Sequence, residues 1–233
     1  MSISNIDLFD FKVADTTYSG LIEHLQDIKS EQFCHIVTLN PEIIIKSREQ
    51  KELKSWIQHA DLCVPDGIGL VWAAKWLKRK AINRITGIGL VQTLLKQSSF
   101  SFYFVGATPP VVDKTVLSVK KQYPNISIKG FHHGYINETD QKEVINDIRE
   151  KNPDVILVGM GFPKQEYFIN TLKDNGTKGI CVGVGGVFDV LSGEQVRAPK
   201  FFQSLGLEWI FRGLIDPKRI KRWGFIQIGR AHV

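Results

Sequence analysis

The chain has 233 residues, 43% of them hydrophobic and 23% charged, which suits one α/β domain or a domain with an appendage and a core that needs no disulfides. No window approaches the roughly 18 uninterrupted apolar residues of a spanning helix, and MSISNIDLFDF has neither a basic start nor a small-residue cleavage site, so a cytoplasmic location is expected. The formal charge of +6 is concentrated late, where Arg197, Lys200, Arg212, Lys218, Arg219, Lys221, Arg222 and Arg230 crowd the last quarter, so that end is expected to seek phosphate or an anionic membrane.

In chain order, apolar β-branched runs recur at 33–38, 62–65, 101–106, 126–130, 154–159 and 179–184. Helical stretches separate them: PEIIIKSREQKELKSWIQ, with apolar residues among charges, and PPVVDKTVLSVKKQY and TDQKEVINDIREK, amphipathic with proline or acidic starts. Strands alternating with helices predict a Rossmann-like, mostly parallel sheet with flanking helices over residues 1–198. From 199 to 227 the pattern changes to aromatic and arginine-rich helix, read as a separate C-terminal appendage. Cys34, Cys63 and Cys181 each sit in an apolar run without metal spacing and are expected to be core thiols.

Ligands of open α/β sheets collect beyond the carboxyl ends of the strands. The turns there share a look: TLNPE, PDGIG, VGATPP, GMGFPKQE and GVGGVFD each combine Gly or Pro with a polar group. Glycines let backbone N–H groups approach a phosphate, yet tight strand-to-helix packing explains any single one equally well. None of the GxG pairs is completed to GxGxxG, and no phosphate loop of the GxxxxGK type occurs, so a dinucleotide oxidoreductase is disfavoured.

Several residues keep two readings. Asp66 is either the N-cap of the helix through LVWAAKWLK or a general base in a crevice beside Val64 and Ile68. Thr38 and Asn40 either bind phosphate oxygens or cap the helix that opens at Pro41. Arg84 is a surface cation or a phosphate ligand, and Glu166 an ordinary first-turn charge, while Gln165 has the donor and acceptor pair that sugar hydroxyls want. His132 and His133 are expected in an exposed turn. With no His and carboxylate cluster at metal spacing and no Asp-x-Asp, no metal and no cofactor are expected.

Taken in order, TLNPE, PDGIGLVWAAK, NRITG, GMGFPKQE, GVGGVFDVLSGEQVRAPK and GLEWIFR resemble the WecG/TagA/CpsF family of bacterial glycosyltransferases over nearly the whole chain. The resemblance implies an inverting enzyme that moves a sugar, of N-acetylmannosamine type or a related hexose, from a UDP donor to a polyprenyl-diphosphate-linked saccharide. It would work at the cytoplasmic membrane face, in teichoic acid, common antigen or exopolysaccharide synthesis. It implies Asp66 as catalytic base, with Thr38, Asn40, Arg84 and Gln165 lining the pocket. Tyr135 and Asp189 would hold the uridine beside a turn shaped by Gly183, Gly185 and Gly186.

Arg212, Arg219 and Arg222 would face the lipid diphosphate, on one helical face if that helix is continuous. Trp209, Phe211, Trp223 and Phe225 would dip into an anionic membrane surface, or else pack on the core or a second copy in a homo-oligomer. No nucleic acid partner is expected. The alternative of another class is a catalytically silent nucleotide or lipid-diphosphate binding protein. Residues 228–233, IGRAHV, match one reading frame of a common sequencing adapter and are expected to be a non-native tail.

Overall fold

The computed structural model describes residues 3–28, 31–195, 198, 199, 202 and 211. It divides into two compact units, Met1–Gln195 and Val196–Val233. The first is an α/β unit whose eight-stranded sheet runs β1-β2-β4-β3-β8-β7-β5-β6. The strands are β1 (Ser4–Leu8), β2 (Phe11–Asp15), β3 (Phe33–Leu39), β4 (Leu62–Pro65), β5 (Ser101–Gly106), β6 (Ser127–His132), β7 (Val155–Gly159) and β8 (Gly179–Gly183). Only the β1–β2 hairpin is antiparallel.

The central strands are mostly apolar because both faces are covered, as parallel crossovers require, with His35 and Thr38 of β3 and Ser101 of β5 as buried polar exceptions. Alternation along each strand divides the residues between two faces. Cys34 and Ile36 of β3, Ile180 and Val182 of β8, and Phe102 and Phe104 of β5 meet one set of helices: α1 (Tyr18–Ile28), α5 (Gly87–Leu95), α6 (Pro109–Gln122) and α9 (Val187–Leu191). On the other face, Val37 and Leu39 meet α2 (Pro41–Ser47), α3 (Lys51–Gln58) and α4 (Ile68–Leu77). Tyr103, Ile156 and Cys181 meet α7 (Glu138–Lys151) and α8 (Lys164–Asp174) there.

Three features differ from the sequence expectation. The N-terminal hairpin adds two strands, turning at Phe9 and Asp10 with φ of 54° and 71°. PEIIIKSREQKELKSWIQ is two helices, α2 and α3, because Arg48, Glu49 and Gln50 close the first helix before Lys51 opens the second. A helix that the sequence pattern did not mark, α5, starts at Gly87 within NRITGIG, capped by the Thr86 hydroxyl on the Gly89 N–H at 3.1 Å. Gly89 is needed there, since a Cβ would lie 2.2 Å from the Tyr18 hydroxyl, which itself accepts the Thr86 N–H.

The three cysteines are buried. Burial pushes the Cys34 and Cys63 thiols up to about 12 and raises Cys181 as well, so they are core thiols and poor nucleophiles at neutral pH. Of the second unit, Phe202 and Phe211 pack ring to ring at 5.4 Å. Arg212, Arg219, Arg222 and the IGRAHV tail lie outside the described residues.

Candidate active-site crevice

The carboxyl ends of β3, β4 and β8 are tied together by short backbone bonds that bring the polar turns to one edge. The Asp66 N–H donates to the Leu39 carbonyl at 2.8 Å, and the Ile85 N–H to the Pro65 carbonyl at 3.0 Å. Asn40, Asp66 and Arg84 therefore sit on neighbouring segments rather than on separate loops. Thr38, 7% exposed, donates its hydroxyl to the Gly183 carbonyl at 3.0 Å, which joins β3 to the turn after β8.

Asp66 does not cap α4: the cap position is Gly67, with φ of 100° and no side-chain bond. The half-buried Asp66 carboxylate instead looks toward the start of α5. A Cβ on Gly87 would find Asp66 Oδ2 at 3.7 Å and Thr38 Oγ1 at 3.8 Å, so the carboxylate and the hydroxyl both lie beside the start of α5. Such a start carries partial positive charge and suits an anionic group. Asn40 does cap α2, its Oδ1 accepting the Ile43 N–H at 3.0 Å, so the cap engages the amide oxygen and not the NH₂. Arg84 is half-buried between buried Ile82 and Ile85.

Behind the second half of the crevice stands α8. Gln165, expected at the sugar, is only 3% exposed. Its Oε1 accepts the Gly185 N–H at 2.9 Å, and its Nε2 donates to Glu166 Oε1 at 3.2 Å. Gly185 has φ of 52°, the left-handed region in which glycine is favoured. Gly186 is the cap position of α9, and Asp189 falls in that helix's first turn. Tyr135, 71% exposed, lies beyond β6 in a segment that the Gly134 N–H pins to the Ala107 carbonyl at 2.8 Å. His132 and His133 are half-buried, with His132 closing β6 and the two rings 4.3 Å apart, so they are not an exposed turn.

One buried pair was not anticipated: His35 on β3 and Glu166 on α8, with Nε2 and Oε2 3.0 Å apart. Glu166 read as a first-turn charge because i to i+4 spacing shows solvent faces and does not show which strand a helix covers. Among the described residues no three His, Cys, Asp or Glu side chains converge as a metal-binding group. No described helix is long and apolar enough to cross a membrane.

The sheet thus sets an acid, an amide, an arginine and a glycine turn at its carboxyl edge, the edge at which open α/β sheets take their ligands. Residues 6–229 match the model of the glycosyl transferase WecG/TagA/CpsF family, and the chain belongs to that family. It is 35% identical, over 95% of its length and 87% of the relative's, to an N-acetylglucosaminyldiphosphoundecaprenol N-acetyl-beta-D-mannosaminyltransferase of Bacillus spizizenii. It is 37% identical, over 97% of its length and 90% of the relative's, to a Staphylococcus aureus protein of the same description.

Proposed function

We propose that the protein transfers an N-acetylmannosamine-type hexose from a UDP donor to N-acetylglucosamine on a polyprenyl diphosphate, with inversion. The observation that carries this reading is the placement of the half-buried Asp66 carboxylate at the carboxyl edge of the sheet, next to the start of α5 and Thr38 and on segments tied to Asn40 and Arg84. The descriptions of the two relatives favour the acceptor and the sugar.

In the proposed reaction Asp66 takes the proton of the acceptor hydroxyl. That oxygen forms the new bond to the anomeric carbon from the face opposite the diphosphate, whose C–O bond breaks as UDP departs with the electron pair. Arg84 and the free-end N–H groups of α5 meet the charge that develops on the leaving diphosphate, preorganised donors standing where a metal would otherwise serve. Tyr135 and Asp189 hold the uridine over the Gly185–Gly186 turn, and Gln165 orders that turn from beneath. Arg212, Arg219 and Arg222 reach the lipid diphosphate.

We also place the enzyme peripherally on an anionic membrane face. Support within the described residues comes from α4, which leaves the Asp66 loop directly. Trp72 and Trp76 are exposed there and stack with centroids 6.3 Å apart, alongside exposed Lys75, Lys78 and Arg79. Aromatic rings with flanking cations suit the headgroup region.

The test is product analysis with UDP-N-acetylmannosamine and a short-chain polyprenyl-diphosphate N-acetylglucosamine acceptor. Release of UDP with a β-linked disaccharide from an α-linked donor is expected. UDP binding without any transfer would turn the reading to a catalytically silent nucleotide-binding protein.

A further inference from the structure

Glu166 is 1% exposed, and its side chain is wholly shielded from water. A carboxylate in that position is costly unless its oxygens are partnered. Its Oε2 faces His35 Nε2 at 3.0 Å, an ion-pair contact without hydrogen-bond geometry, and among the described residues neither atom makes a hydrogen bond. Its Oε1 accepts from Gln165 Nε2 at 3.2 Å, and Gln165 Oε1 in turn accepts the Gly185 N–H at 2.9 Å. A line of contacts thus runs from the middle of the sheet, through α8, to the turn after β8. Gly183 shows how closely it is packed, because a Cβ there would lie 2.4 Å from Gln165 Nε2 and 3.1 Å from Glu166 Oε1.

Apolar side chains of similar size would fill this space without the desolvation cost. They would not orient the Gln165 amide. Its two ends are nearly the same shape, and only hydrogen bonding decides which one faces Gly185. An ionised carboxylate accepts and cannot donate, so it draws the Gln165 NH₂ to itself and leaves the carbonyl for the Gly185 N–H. The reverse orientation would set N–H against N–H. His35 Nε2, 3.0 Å from Oε2, sits against the far oxygen of Glu166 and holds that side chain toward Gln165.

We infer that His35 and Glu166 are positioning residues for the donor site: through Gln165 they fix the direction of the Gly185 peptide, and so the shape of the turn that receives the diphosphate. The inference rests on the proposed binding of UDP at that turn.

The experiment compares Glu166→Met, which keeps volume and removes the acceptor, with Glu166→Gln, which can still accept from Gln165. UDP affinity is measured by calorimetry and Gly185 amide exchange by NMR without ligand. Glu166→Met is expected to speed Gly185 exchange and to weaken UDP about tenfold, the value of roughly one buried hydrogen bond. The donor KM should rise alike while kcat stays within about twofold. Glu166→Gln should restore both, and Glu166→Met should add nothing in a Gln165→Ala background.

A folded Glu166→Met protein with wild-type Gly185 exchange and UDP affinity, or additive effects with Gln165→Ala, would overturn the inference. If Glu166→Met does not fold, His35→Leu, which removes the contact at Glu166 Oε2, is read by the same two measurements. A wild-type protein that binds no UDP contradicts the nucleotide reading, whereas the ligand-free exchange still decides the relay.

Discussion

Replacing Gly183 by alanine adds one methyl group where three chains meet. Its Cβ would lie 2.4 Å from Gln165 Nε2 and 3.0 Å from Gln165 Cδ, about 1 Å inside ordinary contact. The side chain that must give way is long, but it is held at both ends, by Glu166 and by the Gly185 N–H, and is 3% exposed. Overpacking of this kind costs about 1–3 kcal/mol, and losing one buried hydrogen bond adds about 1 kcal/mol. The reduced freedom of the unfolded chain returns about 0.4–1 kcal/mol, since Gly183 lies in a strand and not at positive φ. The net loss is about 1–3.6 kcal/mol. At about 2–4 °C per kcal/mol for a chain of this size, Tm should fall by about 2–14 °C. UDP affinity should fall with it, because the displaced amide releases Gly185. Differential scanning calorimetry with and without UDP is the assay. A Gly183→Ala protein with unchanged Tm and unchanged UDP stabilisation would refute the claim that Gln165 is clamped against the turn.

Other consequences are open to direct measurement. Transfer should continue undiminished in EDTA; if chelation stops it and magnesium or manganese restores it, the diphosphate is neutralised by an ion rather than by Arg84 and peptide N–H groups. Replacing Trp72 and Trp76 by serine should weaken binding to phosphatidylglycerol vesicles by at least tenfold in flotation while leaving UDP affinity intact; unchanged flotation would remove α4 from the membrane face. Cys34 and Cys63 ionise at 9.0 in their ordinary state and near 12 when folded, so the unfolded chain releases its protons first. Their contribution to stability is complete below pH 9 and is lost as pH rises toward 12, and Cys34→Ala should flatten that part of the urea-midpoint profile.

The central sheet was legible in the sequence because strands buried on both faces leave unbroken apolar runs, as at β3, β5, β7 and β8. The β1–β2 hairpin was not, since Asp7, Asp10, Lys12 and Asp15 interrupt short strands and the turn uses Phe9 and Asp10 without a glycine. Helix α5 was hidden by Gly87 and Gly89, which read as turn residues until the Tyr18 hydroxyl explains one of them. Candidate site residues could be picked out as the polar members of Gly and Pro turns at strand ends. The direction each one faces could not. Gln165 looked outward as a first-turn residue of α8, yet its amide is turned down onto Gly185, and the His35–Glu166 contact that sets it joins residues far apart in the chain.

The account stands on Asp66 as the base, and single-turnover transfer by Asp66→Asn against wild type, with UDP affinity measured on the same preparations, tests it most directly. The account predicts a rate lower by about 10²–10⁴, the usual worth of a positioned general base, with UDP affinity within about threefold, because the carboxylate acts on the acceptor hydroxyl and not on the nucleotide. Transfer at the wild-type rate by Asp66→Asn would contradict it.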